Sequence, residues 1–215
     1  MLEIITLTFT YEELYFEASE LANELSYEVS NYFSKKIEHV KCYDIERYVQ
    51  EVENVDFIDY EFKNNLSKLM LGSINKIQDE IIITTNKNLM LERKNFTKMH
   101  EVIHFYRDVP YLSESHAFFD SIIEGEYKTK DLPREYRADV GASILMSNDQ
   151  ALPYALKKFR NFDEVANYFF MSKAALRKRI LQYLEFTGGY TSDEAYRLFK
   201  KYYYRNELEI LRYLE

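Results

Sequence analysis

Two of the four histidines, His100 and His104, stand four positions apart, and Glu101 directly follows the first. On a helix, residues four apart lie on one face, so both imidazoles can point at one metal ion. This is the HExxH spacing of zinc helices, in which the glutamate acts as a general base toward a water molecule. Glu101 is one residue off the shared face, so we expect it beside the metal but not bound to it.

A catalytic zinc site needs a third protein ligand. Glu135 and Asp139 are also four apart, in a predicted helix over residues 133–146 that Pro133 is suited to begin. Glu135 could bind the metal, and Asp139 could accept the free N–H of a ligand histidine and fix its tautomer. His116, between the two predicted helices, is an alternative third ligand.

The composition is typical of a globular, helix-rich chain. Its 215 residues are 47% hydrophobic and 30% charged, with a formal net charge of −8 and only 5 glycines and 3 prolines. The single cysteine, Cys42, excludes an intramolecular disulfide and fits a reducing compartment. No apolar run approaches the roughly 20 residues of a membrane span, and the first residues lack signal-peptide features. We therefore expect a cytoplasmic protein with no membrane partner.

The sequence pattern of the first quarter of the chain predicts mainly helices. A weakly alternating run over residues 3–9 could form a short strand. Thr10 and Glu13 have the spacing of a capping box, and apolar residues then recur at helical spacing, which predicts a helix over residues 11–34. A second helix is predicted over residues 44–53.

The segment before the histidines predicts a small sheet. Two short apolar runs, separated by the polar "NKIQD", predict strands over residues 68–74 and 79–85. The helix that carries His100 is predicted to begin at Asn95, a suitable N-cap residue. The expected fold is therefore α+β and mostly helical, with a small sheet packed on the HExxH helix and a helical C-terminal extension.

These motifs, in this order, resemble the ImmA/IrrE-type zinc metallopeptidases of phages, integrative elements and bacterial stress responses. "RKNFTKMHEVIH" is similar to the active-site segment of that family, with Arg93, Phe96 and Thr97 in place. "EYRADVGASILM" is similar to the helix that follows it, and "GSIN" with "EIIITTN" to the strand pair before it. The resemblance covers roughly residues 68–185.

The resemblance implies a zincin-like core in which His100, His104 and Glu135 bind Zn²⁺ and Glu101 is the catalytic base. It also implies a protein substrate, typically a helix-turn-helix repressor of the host mobile element that is cut to relieve repression. The alternative is a regulatory DNA- or protein-binding module in which zinc is structural or vestigial. Glu101 argues against that alternative, because a structural site needs no base.

We expect three segments: an N-terminal helical segment over residues 1–60, a peptidase core over 61–155 and a helical extension over 156–215. Residues 161–186 resemble a helix-turn-helix, with Ser172 as the cap of the second helix. If this segment bound DNA, four basic residues of the second helix would reach the phosphates and base edges: Lys173, Arg177, Lys178 and Arg179.

Two features favour helix packing over DNA contact. Phe170 stands where the tight turn usually has glycine, and the chain as a whole is acidic. The aromatic-rich residues 190–215 predict a further helix that serves as a packing arm or a dimer contact.

Overall fold

The protein is described by a computed structural model in which helices surround one small sheet. The expected strand over residues 3–9 lies outside the part of the chain that the structure describes. The described residues are 10–63, 70–111, 116–121, 132–159, 161–205 and 210.

The N-terminal segment forms two helices, α1 (Tyr11–Tyr32) and α2 (Cys42–Glu53). Both confirm predicted helices, with boundaries that differ by two residues. The predicted capping box is also confirmed: Glu13 N–H donates to Thr10 Oγ1, and Thr10 N–H donates to Glu13 Oε2. The apolar stripe of α1 is buried and packs against a later helix of the core.

The sheet has four strands: β1 (Val55–Tyr60), β2 (Met70–Ile77), β3 (Glu80–Asn86) and β4 (His116–Ser121). Their order is β1-β3-β2-β4, with β1 parallel to β3 and β2 antiparallel to both neighbours. Strands β2 and β3 confirm the two predicted strands. The edge strands β1 and β4 were not predicted from the sequence. Strand β1 contains two acids, Asp56 and Asp59, and is mostly exposed.

The central helix is α3 (Leu91–Arg107), which contacts β2 and β3 on one side and α4 (Leu132–Met146) on another. The prediction that α3 begins at Asn95 is wrong. Met90 is the N-cap, and its carbonyl oxygen accepts a hydrogen bond from Lys94 N–H. The strong helix formers of "LERK" explain the earlier start, since they extend the helix back to the turn after β3.

The C-terminal part is entirely helical where it is described. It comprises α5 (Ala151–Lys158), α6 (Phe162–Tyr168), α7 (Lys173–Gln182), a π-helical turn (Tyr183–Thr187) and α8 (Ser192–Arg205). Ser172 caps α7 as predicted, accepting a hydrogen bond from Ala175 N–H. Phe170 has a φ of 53°, which explains why glycine is usual in that turn.

The buried core is continuous across the expected segment boundaries near residues 60 and 155. It runs from Tyr15 in α1 to Ile210, and α8 joins it by packing Phe199 and Tyr202 around Phe162. Among the described residues, no helix is both long and apolar enough to cross a membrane. The architecture confirms the α+β, mostly helical fold, with the sheet packed on the helix that carries the histidines.

Candidate metal centre

Helix α3 places His100 and His104 side by side in the interior, as their spacing predicts. The two side chains are 3% and 2% exposed, and their Nε2 atoms lie 3.0 Å apart. Nitrogen lone pairs at this distance repel each other unless a proton or a cation lies between them.

Helix α4 brings the carboxylate of Glu135 to the same point. Glu135 Oε2 lies 3.3 Å from His100 Nε2 and 3.6 Å from His104 Nε2. One donor atom from each of the three residues falls within 4.8 Å of the other two. The structure thus brings together the three residues that the sequence suggested as ligands. Arg134, the neighbour of Glu135, donates to the other carboxylate oxygen, Oε1, at 3.1 Å.

This donor set fits a zinc ion. Two imidazole nitrogens and one carboxylate oxygen are the three protein ligands of many catalytic zinc sites, and the ion keeps a further coordination position open. His100, His104 and Glu135 would hold the ion, and its positive charge would remove the repulsion between the two Nε2 atoms.

Each histidine is oriented by an aspartate on its other ring nitrogen. His100 Nδ1 lies 3.2 Å from Asp139 Oδ1, and His104 Nδ1–H donates to Asp108 Oδ2 at 2.5 Å. A proton held on Nδ1 leaves the Nε2 lone pair free for a metal. Asp139 was suggested from the sequence. Asp108 was missed, although its spacing of four from His104 could have revealed it.

The pKa shifts reflect this cluster of opposite charges. Burial acts to raise the pKa of Glu135, but hydrogen bonds from His100 and His104 outweigh burial and lower the pKa. Burial likewise acts to raise the pKa of Asp139, and the hydrogen bond from His100 lowers it below its usual value. Burial acts to lower the pKa of His104, but its hydrogen bonds to Asp108 and Glu135 raise the pKa.

A basic side chain lies near the carboxylate of each aspartate. Lys178 Nζ of α7 lies 3.7 Å from Asp139 Oδ2, and Arg137 of α4 lies 3.9 Å from Asp108 Oδ1. Arg137 in turn pairs with Glu17 of α1 at 3.1 Å. A chain of contacts therefore leads from the N-terminal helix to His104, and sequence reasoning did not find it.

Glu101, the suggested catalytic base, is fully buried and lies against the sheet. A Cβ on Gly72 of β2 would come 3.4 Å from Glu101 Oε1 and only 2.5 Å from the Thr97 side chain. Glycine at this position lets β2 approach α3 closely beside Glu101. The suggested base is thus a buried carboxylate on the same helix as the two candidate ligand histidines.

A cleft of about 480 Å³ opens beside the candidate ligands. Its described lining includes His100, Glu135 and Asp139 at one end, with residues from the start of α3, the inner face of α4 and the start of α7. Helix α7 and the turn before it thus form one wall of the cleft.

The basic residues of α7 are engaged within the protein. Lys173 pairs with Asp163, and the Arg177 guanidinium lies over the Tyr196 and Phe199 rings of α8. Arg179 is fully buried and donates to the Ser147 carbonyl oxygen, so its suggested contact with DNA is wrong. With Lys178 held at Asp139, this favours the packing role for residues 161–186.

His116, the alternative third ligand from the segment between the two predicted helices, lies at the start of β4, where its backbone is paired with Lys76. Lys76 is four residues along β2 from Gly72, a strand distance of about 13 Å. Gly72 is the residue that approaches Glu101. This backbone position favours Glu135 over His116 as the third ligand. The side chain of His116 lies outside the described part of the chain.

Comparison with known proteins gives one family. No curated protein matches the chain. The family model Peptidase_M78, described as the IrrE N-terminal-like domain, matches residues 65–181, more than half of the chain. That range includes strands β2, β3 and β4, the candidate ligands and nearly all of α7, but not β1, and it agrees with the resemblance noted over roughly residues 68–185. The chain therefore belongs to the Peptidase_M78 family of IrrE N-terminal-like domains.

Proposed function

We propose that this protein is a zinc-dependent endopeptidase in which His100, His104 and Glu135 bind the metal and Glu101 is the general base. The observation that supports this most is the convergence of the three donor atoms within 4.8 Å, beside a buried glutamate on the same helix. Membership of a peptidase family supports the reaction class.

When bound, zinc would polarise a peptide carbonyl and lower the pKa of an attacking water molecule. Glu101 takes the proton of that water and passes it to the amine that leaves. Asp139 and Asp108 keep the Nδ1 protons of His100 and His104 in place, so that both Nε2 atoms stay available to the metal.

The proposed substrate is a helix-turn-helix repressor of a phage or mobile element, cut in the cytoplasm to relieve repression. The resemblance to ImmA/IrrE-type peptidases supports this choice. The cleft beside the ligands supports a polypeptide as the substrate, because its volume of about 480 Å³ can hold several side chains.

The substitution Glu101→Gln tests the mechanism. The amide keeps the shape of the side chain but has no basic oxygen, and the loss of a general base typically costs roughly 10²–10⁴-fold in rate. We expect the variant to keep its zinc and to bind the repressor, but to leave it almost uncut. The measurement is co-expression with a repressor encoded beside the protein, followed by detection of repressor fragments and metal analysis of the purified variant.

Glu80→Gln on the exposed end of β3 makes the same chemical change away from the site and should cleave normally. Equal fragments from the Glu101 variant and the wild type would refute the role of Glu101. An uncut repressor with both forms, together with full zinc occupancy, would favour the regulatory alternative for this repressor.

A further inference from the structure

The cleft beside the candidate ligands changes character along its length. Its metal end is charged and contains Glu135, Asp139 and Lys178. Its other end, which we call the apolar end, contains four apolar residues from three helices and the turn before α7: Phe96, Met146, Met171 and Ala175. Arg93 also lines the cleft, with its guanidinium over the Phe96 ring. Met146 and Met171 are 1% and 4% exposed, so their side chains form a closed wall.

Ser143 supplies a polar atom at the apolar end. It lines the cleft, is 5% exposed, and its Oγ has no hydrogen-bond partner among the described residues. A buried hydroxyl without a partner is unfavourable, so a ligand that offers an acceptor would be stabilised there. A peptide supplies both things that this end lacks: a carbonyl oxygen for Ser143 and an apolar side chain for the wall.

The helix geometry gives the distance from the metal. Phe96 is one turn before His100 on α3, about 6 Å along the helix, and Ser143 is one turn after Asp139, the partner of His100, about 6 Å along α4. Met146 lies about 10 Å from Asp139 by the same measure. An extended peptide advances about 3.4 Å per residue, so this span corresponds to two or three residues.

We infer that the apolar end is a substrate subsite that selects an unbranched or γ-branched apolar side chain, such as Met or Leu, two or three residues from the bond that is cut. Methionine side chains adapt their shape, so the subsite accepts several apolar residues rather than one. Acidic side chains are disfavoured against Met146 and Met171, because a carboxylate would lose its hydration there, and Arg93, which also lines the cleft, is exposed. This inference rests on the proposed peptidase function, since it takes the metal as the point of cleavage.

The test uses glycine-based peptide hydroxamates, which bind zinc through the hydroxamate and are not cut. A single Leu, Glu or Gly is placed two or three residues from the hydroxamate, in both chain directions. Burying a leucine side chain is worth about a tenfold gain in affinity or more. The peptide lies along the cleft in only one of the two chain directions. For that direction we expect the Leu peptide to bind the zinc-loaded wild type at least about tenfold more tightly than the Glu and Gly peptides.

Two variants locate the preference. Ala175→Phe fills the apolar end and should reduce the Leu-to-Gly ratio to near one, whereas Lys173→Phe adds the same ring to α7 outside the cleft and should keep the ratio. Ser143→Ala should weaken the binding of all peptides of the preferred direction severalfold without changing the Leu-to-Gly ratio. This variant still tests the subsite if Ala175→Phe does not fold.

Equal binding of the Leu, Glu and Gly peptides in both directions would overturn the subsite, as would an unchanged ratio in folded Ala175→Phe. The readout is independent of turnover. A Leu preference in a protein that cuts no peptide would support the subsite and contradict the peptidase proposal. Cleavage without any Leu preference would support the peptidase proposal and contradict the subsite.

Discussion

At the scale of single residues, the proposed metal centre has three donor side chains, His100, His104 and Glu135. His100→Ala, His104→Ala or Glu135→Ala each removes one of three donors, and we expect each variant to lose most of the roughly one zinc per chain that the wild type holds. The measurement is metal analysis of purified proteins after dialysis. Full occupancy in Glu135→Ala would show that the third ligand is another residue, with His116 as the next to test.

Lys41 presents a different electrostatic problem, because it is buried and its Nζ has no hydrogen-bond partner among the described residues. Burial lowers the pKa of Lys41 to about 7. In the unfolded chain this amine has a pKa near 10.4. Between these two values the unfolded state holds a proton that the folded state lacks, so this residue makes stability rise with pH.

We therefore expect the unfolding free energy of the wild type, relative to Lys41→Met, to rise between about pH 7 and 9 by up to about 1.4 kcal/mol per pH unit. Urea unfolding of both proteins with a chelator present measures this difference, and the comparison cancels the titration of the tyrosines. A difference that stays constant over this range would contradict a lowered pKa for Lys41.

At the scale of elements, helix α1 reaches the metal centre through ion pairs. Glu17 contacts both Arg107 and Arg137, at 3.0 and 3.1 Å, and Arg137 stands behind Asp108, the partner of His104. The N-terminal helix lies outside the residues matched by the family model, so part of the support for the candidate metal centre comes from outside the matched domain.

Glu17→Gln should therefore weaken zinc binding. Changing a direct partner of a metal-binding histidine typically costs roughly 10–100-fold in metal affinity. We expect a loss of zinc affinity in this range for Asp108→Asn. Glu17 acts one contact further away, so we expect a smaller loss of about two- to fivefold. Competition with a chromogenic chelator measures both, and Glu20→Gln on the exposed face of α1 serves as the control. Equal affinities for the two α1 variants would show that Glu17 only stabilises the fold.

At the scale of the whole molecule, the charge distribution opposes binding to nucleic acid. The net charge is −8, and the basic residues of α7 face Asp163, Asp139, aromatic rings of α8 or the core. We expect no salt-dependent binding to duplex DNA, including the operator of the proposed repressor substrate, in anisotropy titrations between about 50 and 200 mM salt. Binding that falls steeply with salt and is abolished by charge reversal at Arg177 and Lys178 would establish the DNA-binding alternative.

The sequence by itself determined the elements of the candidate site, because helical spacing is a local property. The i, i+4 pairs on α3 and α4 and the cap at Ser172 depend on residues within one or two turns of each other, so they could be read without a fold. The two central strands were predictable for the same reason, since their apolar runs are continuous along the chain.

Tertiary structure alone decided which of these elements meet. The contacts of Glu17 with Arg137, of Lys178 with Asp139 and of Gly72 with Glu101 join residues from different elements, far apart in sequence. The edge strands β1 and β4 depend on pairing with neighbours, not on their own pattern. Packing sets these distances, and the spacing of residues along a chain contains no information about a partner that the fold brings from elsewhere.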